Sequence, residues 1–316
     1  MMVDCNKTIS VGFWISDGKW KRLQLDKIEA KPTEVDGEKT TVIPIKINKL
    51  TDVLKCDIVV SKRKNVDNDP EDIVISKQLE LYPSIIELDE RKDQKVIFNR
   101  RDTFQNLNLV ASDLKPVLVM PSFTLTSSRE LDELLDLTDD TSKFPFICKP
   151  NILRGNDSDH HMKIVYKKED FTDLNFEEYL FQPMVKHKGL LKVFVIGEVF
   201  YVAVRPSVNS FMDEKQCKMF VTSEWKSLKP NDIDLNMYLR DSVSDETIRN
   251  LMHVMAIHFK LSLYGVDLII AEDDSPFIID VNVFPGYSEM IQNRGIDYVH
   301  DAILSLALQK FKSIGT

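Results

Sequence analysis

Residues 264–286 read YGVDLIIAEDDSPFIIDVNVFPG, and this stretch decides the fold. Two apolar arms, 264–272 and 276–283, flank Asp273 and Asp274, a turn-forming pair, so a strand pair is predicted. The midpoint between Asp267 and Asp280 falls on that turn. In a symmetric hairpin the two aspartates stand opposite each other. Asp280 and Asn282 are two residues apart and point to the same face. That face presents two carboxylates and an amide. Like charges directly opposite destabilise a strand pair, and a bound cation removes the repulsion. Mg²⁺ prefers hard oxygen ligands, and is commonly shared between one or two carboxylates and substrate phosphates. The hairpin therefore points to a divalent metal serving a nucleoside triphosphate. The competing reading is an ordinary strand pair with a solvated face. The LII and FII runs oppose it, because both faces then look buried and unpaired buried carboxylates are costly.

Working outward, a helix is predicted from about Asp245 to Ser262, with Ser244 as N-cap and Asp245 and Glu246 at its positive end. A last amphipathic helix spans about 297–312, with Val299, Ile303 and Leu306 on one face. Upstream, KVFVIGEVFYVAVRPS (192–207) reads as a hairpin turning at Gly197 and Glu198, with Lys192 opening the strand. Residues 211–234 read as irregular and polar, with strand fragments. FPFICK (144–149) is a strand ending in Lys149, which either snorkels to solvent or meets an anion. The loop after it, with Gly155, Asn156 and Ser158, can turn backbone N–H groups toward phosphate, although it has no Walker pattern. Strands follow at 163–167 and 179–184, and Gln182-Pro183-Met184 suits a hinge that reads an adenine edge.

The first ~90 residues alternate strands (11–15, 41–47, 57–60) with a helix across Leu23, Leu25 and Ile28, a small α/β unit. The ends of its first and third strands carry Lys19 and Lys62. A helix near Asn99, a strand at 117–120 and a helix at 129–137 complete the pass.

A chain of 316 residues implies two or three domains. The net charge of −9 disfavours nucleic acid held by the overall field, so a polyanionic ligand requires locally concentrated cations. No apolar run is long enough for a membrane span, and the N-terminus lacks a secretory pattern. Cys5, Cys56, Cys148 and Cys217 lie far apart and read as free thiols in a reducing compartment, so a cytoplasmic location is expected. With no clear apolar surface stripe, a monomer is expected.

The order of strand lysine, hinge, hairpin and acidic metal hairpin resembles the ATP-grasp superfamily, in which two α+β subdomains clasp ATP. Within it, the chain resembles the inositol 1,3,4-trisphosphate 5/6-kinases, also called inositol tetrakisphosphate 1-kinases. The matching motifs are VGFWISDGKWKRL (11–23), FPFICKP (144–150), LKVFVIGE (191–198), RPS (205–207), YGVDLII and IIDVNVFPGY (264–287). The resemblance implies an α/β chain with an ATP-grasp fold and an N-terminal Rossmann-like domain. The expected divisions are 1–98, 99–184 and 185–316, the last carrying the metal site.

It also implies roles. Asp267, Asp280 and Asn282 would hold Mg²⁺, two ions in all. Arg100 and Lys149 would contact ATP phosphates. Gln182, Pro183, Met184, Val185 and Lys192 would line the adenine pocket, with Arg205, Ser207, Ser223 and Ser227 near the nucleotide. Lys19, Lys62, Arg154, one of His160 and His161, Lys192, Asn282 and Gly286 would serve the inositol phosphate. Lys192 and Asp280 would be catalytic. The family's His-Gly pair after the strand lysine is Arg154-Gly155 here, and an arginine suits phosphate bidentately.

The implied reaction is direct in-line transfer from Mg-ATP to an inositol polyphosphate hydroxyl, through alignment and charge neutralisation. Lys19, Lys62, Arg154, Lys163, Lys186, Lys188 and Lys192 come from separate segments; each alone is an ordinary surface cation, and their convergence is what the reading requires. The alternatives are an ATP-grasp carboxylate–amine ligase acting through an acylphosphate, and a non-catalytic nucleotide-binding module.

Overall fold

The computed structural model describes residues 8–28, 30–35, 37–62, 70–136, 144–153, 160–171, 174–205, 207, 218–221 and 233–315. The chain begins with β1 (Thr8–Trp14), α1 (Asp17–Arg22), β2 (Lys31–Val35), β3 (Glu38–Lys46), α2 (Leu50–Val53), β4 (Ile58–Ser61), α3 (Pro70–Leu81) and β5 (Ile86–Glu87). These strands form one sheet in the order β2-β3-β1-β4-β5. β1 runs parallel to both β3 and β4, and only the edge strand β2 is antiparallel. Ile9, Val11 and Phe13 alternate inward from β1, as a half-buried strand requires.

Next come α4 (Arg91–Ile97), α5 (Arg100–Leu109), β6 (Leu118–Val119), α6 (Ser128–Asp136), β7 (Phe146–Pro150), β8 (His161–Val165) and β9 (Tyr179–Pro183). β7, β8 and β9 join β12 (Lys218–Val221) in a second sheet, ordered β12-β8-β7-β9. Phe146, Phe171 and Phe181 are buried beneath it in a core of its own.

The third sheet is β11-β10-β13-β14-β6, built from β10 (His187–Ile196), β11 (Val199–Arg205), β13 (Leu263–Ala271) and β14 (Pro276–Val283). Helices α7 (Ile233–Asp241), α8 (Asp245–His258), α9 (Ser288–Arg294) and α10 (Ile296–Gly315) complete the chain. The first and third sheets share one continuous core. α10 packs against β1, β2, β4 and β10 and so spans both. Its buried His300 hydrogen-bonds the Leu23 carbonyl at 2.8 Å, and its Lys312 donates to the Val35 carbonyl at 2.7 Å. The buried carboxylate of Asp89, ahead of α4, accepts from the backbone N–H groups of Ser262 and Leu263 at 2.8 and 2.9 Å. That joint ties the first sheet's connection to the start of β13.

Several elements differ from the sequence expectation. The helix expected across 23–28 is displaced: α1 lies ahead of it, capped by Ser16, and Gln24 adopts a left-handed φ of 47°. Lys19 consequently sits on α1 and not at a strand end. Helix α3 was not legible, because its β-branched Ile73 and Val74 are exposed and give no helical apolar stripe. Helices α4 and α7 and strand β2 were not legible either. α8 ends at His258, and Lys260 at φ 53° turns the chain into β13. The last helix is preceded by α9, with Gly295 at φ 88° between them. Of the segment 211–234, only β12 and the start of α7 lie within the described residues. Cys56 and Cys148 are buried free thiols, while Cys5 and Cys217 lie outside the described residues. Among the described residues no helix is long and apolar enough to cross a membrane.

Candidate active site

The register of β10, β13 and β14 builds the site. Lys192 stands opposite Asp267, Asp267 opposite Asp280, and Gly265 opposite Asn282. The facing aspartates inferred from the hairpin's symmetry are present, with a bulge immediately after Asp267 that symmetry did not foresee. Lys192 lies in the middle of β10 and does not open it, since the strand starts at His187. Its Nζ donates to Asp267 Oδ2 at 2.8 Å, with side chains only 5% and 16% exposed. Asn282 Nδ2 donates to the same oxygen at 3.2 Å. A Cβ on Gly265 would come within 2.9 Å of Lys192 Cε, so glycine leaves the lysine room to lie against β13.

Arg100 reaches this face from the first turn of α5. Asn99 caps that helix through Arg101 and Asp102, and the Arg100 N–H donates to the Asn151 carbonyl at 2.8 Å. The guanidinium donates to Asp280 Oδ1 and Oδ2 at 3.4 and 3.3 Å, and also to the Pro150 carbonyl. Lys149, buried on β7, donates to the Ile279 carbonyl at 2.7 Å. The second sheet thus delivers its strand lysine to β14 of the third, beside Asp280, and snorkelling is excluded.

Burial alone would raise the Asp280 carboxyl, but Arg100 and Lys149 outweigh it and hold the group below its usual range. Burial lowers Lys149 to about 8, with Asp280 pulling against that shift. Asp267 Oδ1 is buried with no hydrogen-bond partner among the described residues. An orphaned carboxylate oxygen beside a second carboxylate and an amide is a donor set that fits a hard divalent cation.

A second group of cations comes from the first sheet. The Lys19 ammonium donates to the Phe284 carbonyl and, at 3.0 Å, to that of Pro285, and lies 4.2 Å from the centre of the Phe284 ring. Lys62, just beyond β4, donates to the Phe284 carbonyl at 3.4 Å. Both therefore converge on the loop that leaves β14. Gly286 sits in that loop.

The segment expected to serve as a hinge closes β9 with Gln182 and Pro183 and runs on to Met184 and Val185. Gln182 is buried and donates to Ser122 Oγ at 2.9 Å, while Pro183 pairs with Phe146. The Met184 N–H donates to the Pro145 carbonyl at 2.8 Å, and the Val185 carbonyl meets His187 Nδ1 at 2.6 Å. His187 Nε2 shares a short hydrogen bond with Ser207 Oγ. Arg205 is ion-paired with Glu289 on α9 and lies over the Phe194 ring. His161 opens β8 and is exposed, and His160 before it is half-buried. Arg154, Ser223 and Ser227 lie outside the described residues.

Sequence reasoning missed Arg22 and His187. Arg22 stands three residues after Lys19 on α1 and was findable by helical spacing. His187 carried no local signal, because its partners come from the turn before it and the end of β11.

Two apposed α+β sheets that meet at an acidic hairpin define an ATP-grasp protein. D-alanine–D-alanine ligase from Bacillus anthracis shares the fold at a TM-score of 0.57 and 14% identity, over 97% of this chain and 99% of that one. N5-carboxyaminoimidazole synthetase from Staphylococcus aureus, complexed with ADP, does so at 0.56 and 12%, over 94% and 77%. Residues 115–301 match the inositol 1,3,4-trisphosphate 5/6-kinase ATP-grasp domain. Inositol-tetrakisphosphate 1-kinase from Danio rerio is 25% identical over 93% of this chain and 77% of its own length. The Xenopus laevis protein of that name is 26% identical over 88% and 74%. The chain belongs to the inositol 1,3,4-trisphosphate 5/6-kinase family, and so is an ATP-dependent inositol phosphate kinase.

Proposed function

We propose that the protein transfers the γ-phosphoryl group of Mg-ATP directly to a ring hydroxyl of an inositol polyphosphate, in the manner of a 1,3,4-trisphosphate 5/6-kinase and a 3,4,5,6-tetrakisphosphate 1-kinase. The observation that carries this reading is that two cation groups meet the β13–β14 hairpin, one at its paired acids and one at the loop that leaves it. Arg100, Lys149 and Lys192 gather at Asp267 and Asp280, while Lys19 and Lys62 gather at the loop two residues beyond Asn282.

In this reading Asp267, Asp280 and Asn282 hold Mg²⁺, which neutralises phosphate charge when bound. Arg100 and Lys149 bind the triphosphate. Lys192 lies beside the metal ligands and meets the transferred group and the acceptor. The 182–185 segment and Ser207 hold the nucleoside. Lys19, Lys62, Gly286 and one histidine of the 160–161 pair hold the acceptor phosphates. A carboxylate engaged by metal and arginine is a poor base, so rate comes from alignment and electrostatics. The protein acts as a monomer in the cytoplasm and needs neither nucleic acid nor membrane.

The test is to incubate the protein with Mg-ATP and a panel of inositol polyphosphates, following ADP and product isomers. Stoichiometric ADP and a phosphorylated inositol are expected. Amide formation with no transfer to any inositol phosphate would establish the carboxylate–amine ligase instead. A trapped phosphoenzyme in single turnover would overturn direct transfer.

A further inference from the structure

Arg22 ends α1 three residues after Lys19, on the same side of that helix. It is exposed, and its side chain crosses directly over Gly286: a Cβ there would lie 2.7 Å from Arg22 Cδ and 3.3 Å from Nη1. Three positive side chains from two segments of the first sheet therefore meet at one loop of the third.

Burial first, and then the like charges of Lys62 and Arg22, hold the Lys19 ammonium well below its ordinary proton affinity. Two acids of the adjoining helices are engaged elsewhere: Asp17 of α1 with Lys46 at 2.6 Å, and Glu289 of α9 with Arg205. Among the described residues, carbonyl oxygens and an aromatic face answer Lys19, which is 8% exposed.

The receiving loop is constrained as well. Phe284 and Tyr287 are fully buried, and each adopts a left-handed φ, 35° and 51°. Bulky residues rarely adopt such values unless their surroundings impose them. The Tyr287 hydroxyl donates to the Val195 carbonyl at 2.8 Å, and the two rings pack against each other. The loop is thus a rigid platform, and the glycine at its apex is where the guanidinium passes.

We propose that Arg22 is the third arm of the acceptor site: with Lys19 and Lys62 it grips one phosphate of the inositol polyphosphate, and Gly286 is small so that its guanidinium can reach over the loop. This rests on the kinase reading above and adds to it a specificity-determining residue. A guanidinium fork holds phosphate bidentately, which a lysine cannot do. Arg22 therefore selects acceptors whose ring carries a phosphate at the position facing α1.

The test measures binding and turnover separately on the full chain. Inositol 3,4,5,6-tetrakisphosphate is titrated calorimetrically into the wild type and into Arg22→Ala, Arg22→Lys, Gly286→Ala and the Arg22→Ala/Gly286→Ala double variant. Arg22→Ala is expected to weaken binding about tenfold or more. Arg22→Lys should recover only part of that loss, and the KM for ATP should stay within about twofold. Gly286→Ala should weaken binding in wild-type background, because the arginine is displaced, and have little effect once Arg22 is gone. Additive losses would mean that Gly286 acts independently of Arg22 and would overturn the coupling. Unchanged affinity in Arg22→Ala, or no binding by the wild type, would overturn the site. Binding that depends on Arg22 without any transfer would sustain the anion site and refute the kinase reading.

Discussion

The β10–β13–β14 face and the α1–β4 edge both bury lysine, but they compensate it differently. On the sheet face Lys192 meets Asp267, Arg100 meets Asp280, and Lys149 lies close enough to Asp280 to feel its charge. At the edge Lys19 has Lys62 and Arg22 as charged neighbours and backbone carbonyls as partners. A buried pair that loses one member leaves a stranded charge. A cluster of like charges that loses a member is relieved of repulsion. The two regions should therefore respond oppositely to the same kind of mutation: the face trades stability with function, and the edge trades function alone.

Asp280→Ala should have the largest effect. Transfer should fall by at least ~10³-fold, since charge stabilisation of the transferred group is lost. Arg100 and Lys149 are also left buried without their carboxylate, so urea unfolding should show a loss of about 3–5 kcal/mol. A variant that is inactive yet fully stable would mean that the ion pairs add nothing to the fold.

Lys19→Met is the matching change at the edge. The KM for the inositol polyphosphate should rise about tenfold, the worth of a charged hydrogen bond to phosphate, with the KM for ATP unaffected. Stability should stay within about 1 kcal/mol, because lost carbonyl contacts are offset by relieved repulsion and desolvation. Equal effects on both KM values would contradict placing Lys19 at the acceptor.

The smallest expected effect is one of pH. Lys19 binds its proton less tightly folded than unfolded, so between its lowered pKa and 10.5 the unfolded chain carries more protons. Stability should rise with pH across that window on this group's account. Acceptor affinity should fall over the same window as the ammonium discharges. Lys19→Arg, which keeps its charge, should abolish the decline in affinity; an identical pH profile in both proteins would contradict the assignment.

How far the sequence could be read varied by element. The facing of Asp267 and Asp280 was legible, because strand alternation and turn chemistry are local and a midpoint can be counted; the bulge after Asp267 was not. Lys149 was legible as an anomaly, a cation ending an apolar strand, though only the fold showed it reaching the Ile279 carbonyl. Helix α3 was hidden by exposed β-branched residues, and α1 was misplaced because the apolar spacing that suggested a helix, Leu23, Leu25 and Ile28, lies beyond its last residue, Arg22. The end of β9 at Pro183 was anticipated, but not the histidine that joins the Val185 carbonyl to Ser207.

By itself the sequence determined which residues could serve as metal ligands and which family the chain belongs to, because both lie in short motifs whose spacing sets the face each side chain takes. Tertiary structure alone decided that Arg100 pairs with Asp280, that Lys19, Lys62 and Arg22 meet over one loop, and that Gly265 and Gly286 make room for cations from other strands and helices. Those are contacts between segments far apart in the chain. Their energies depend on distance and burial, which residue spacing does not encode.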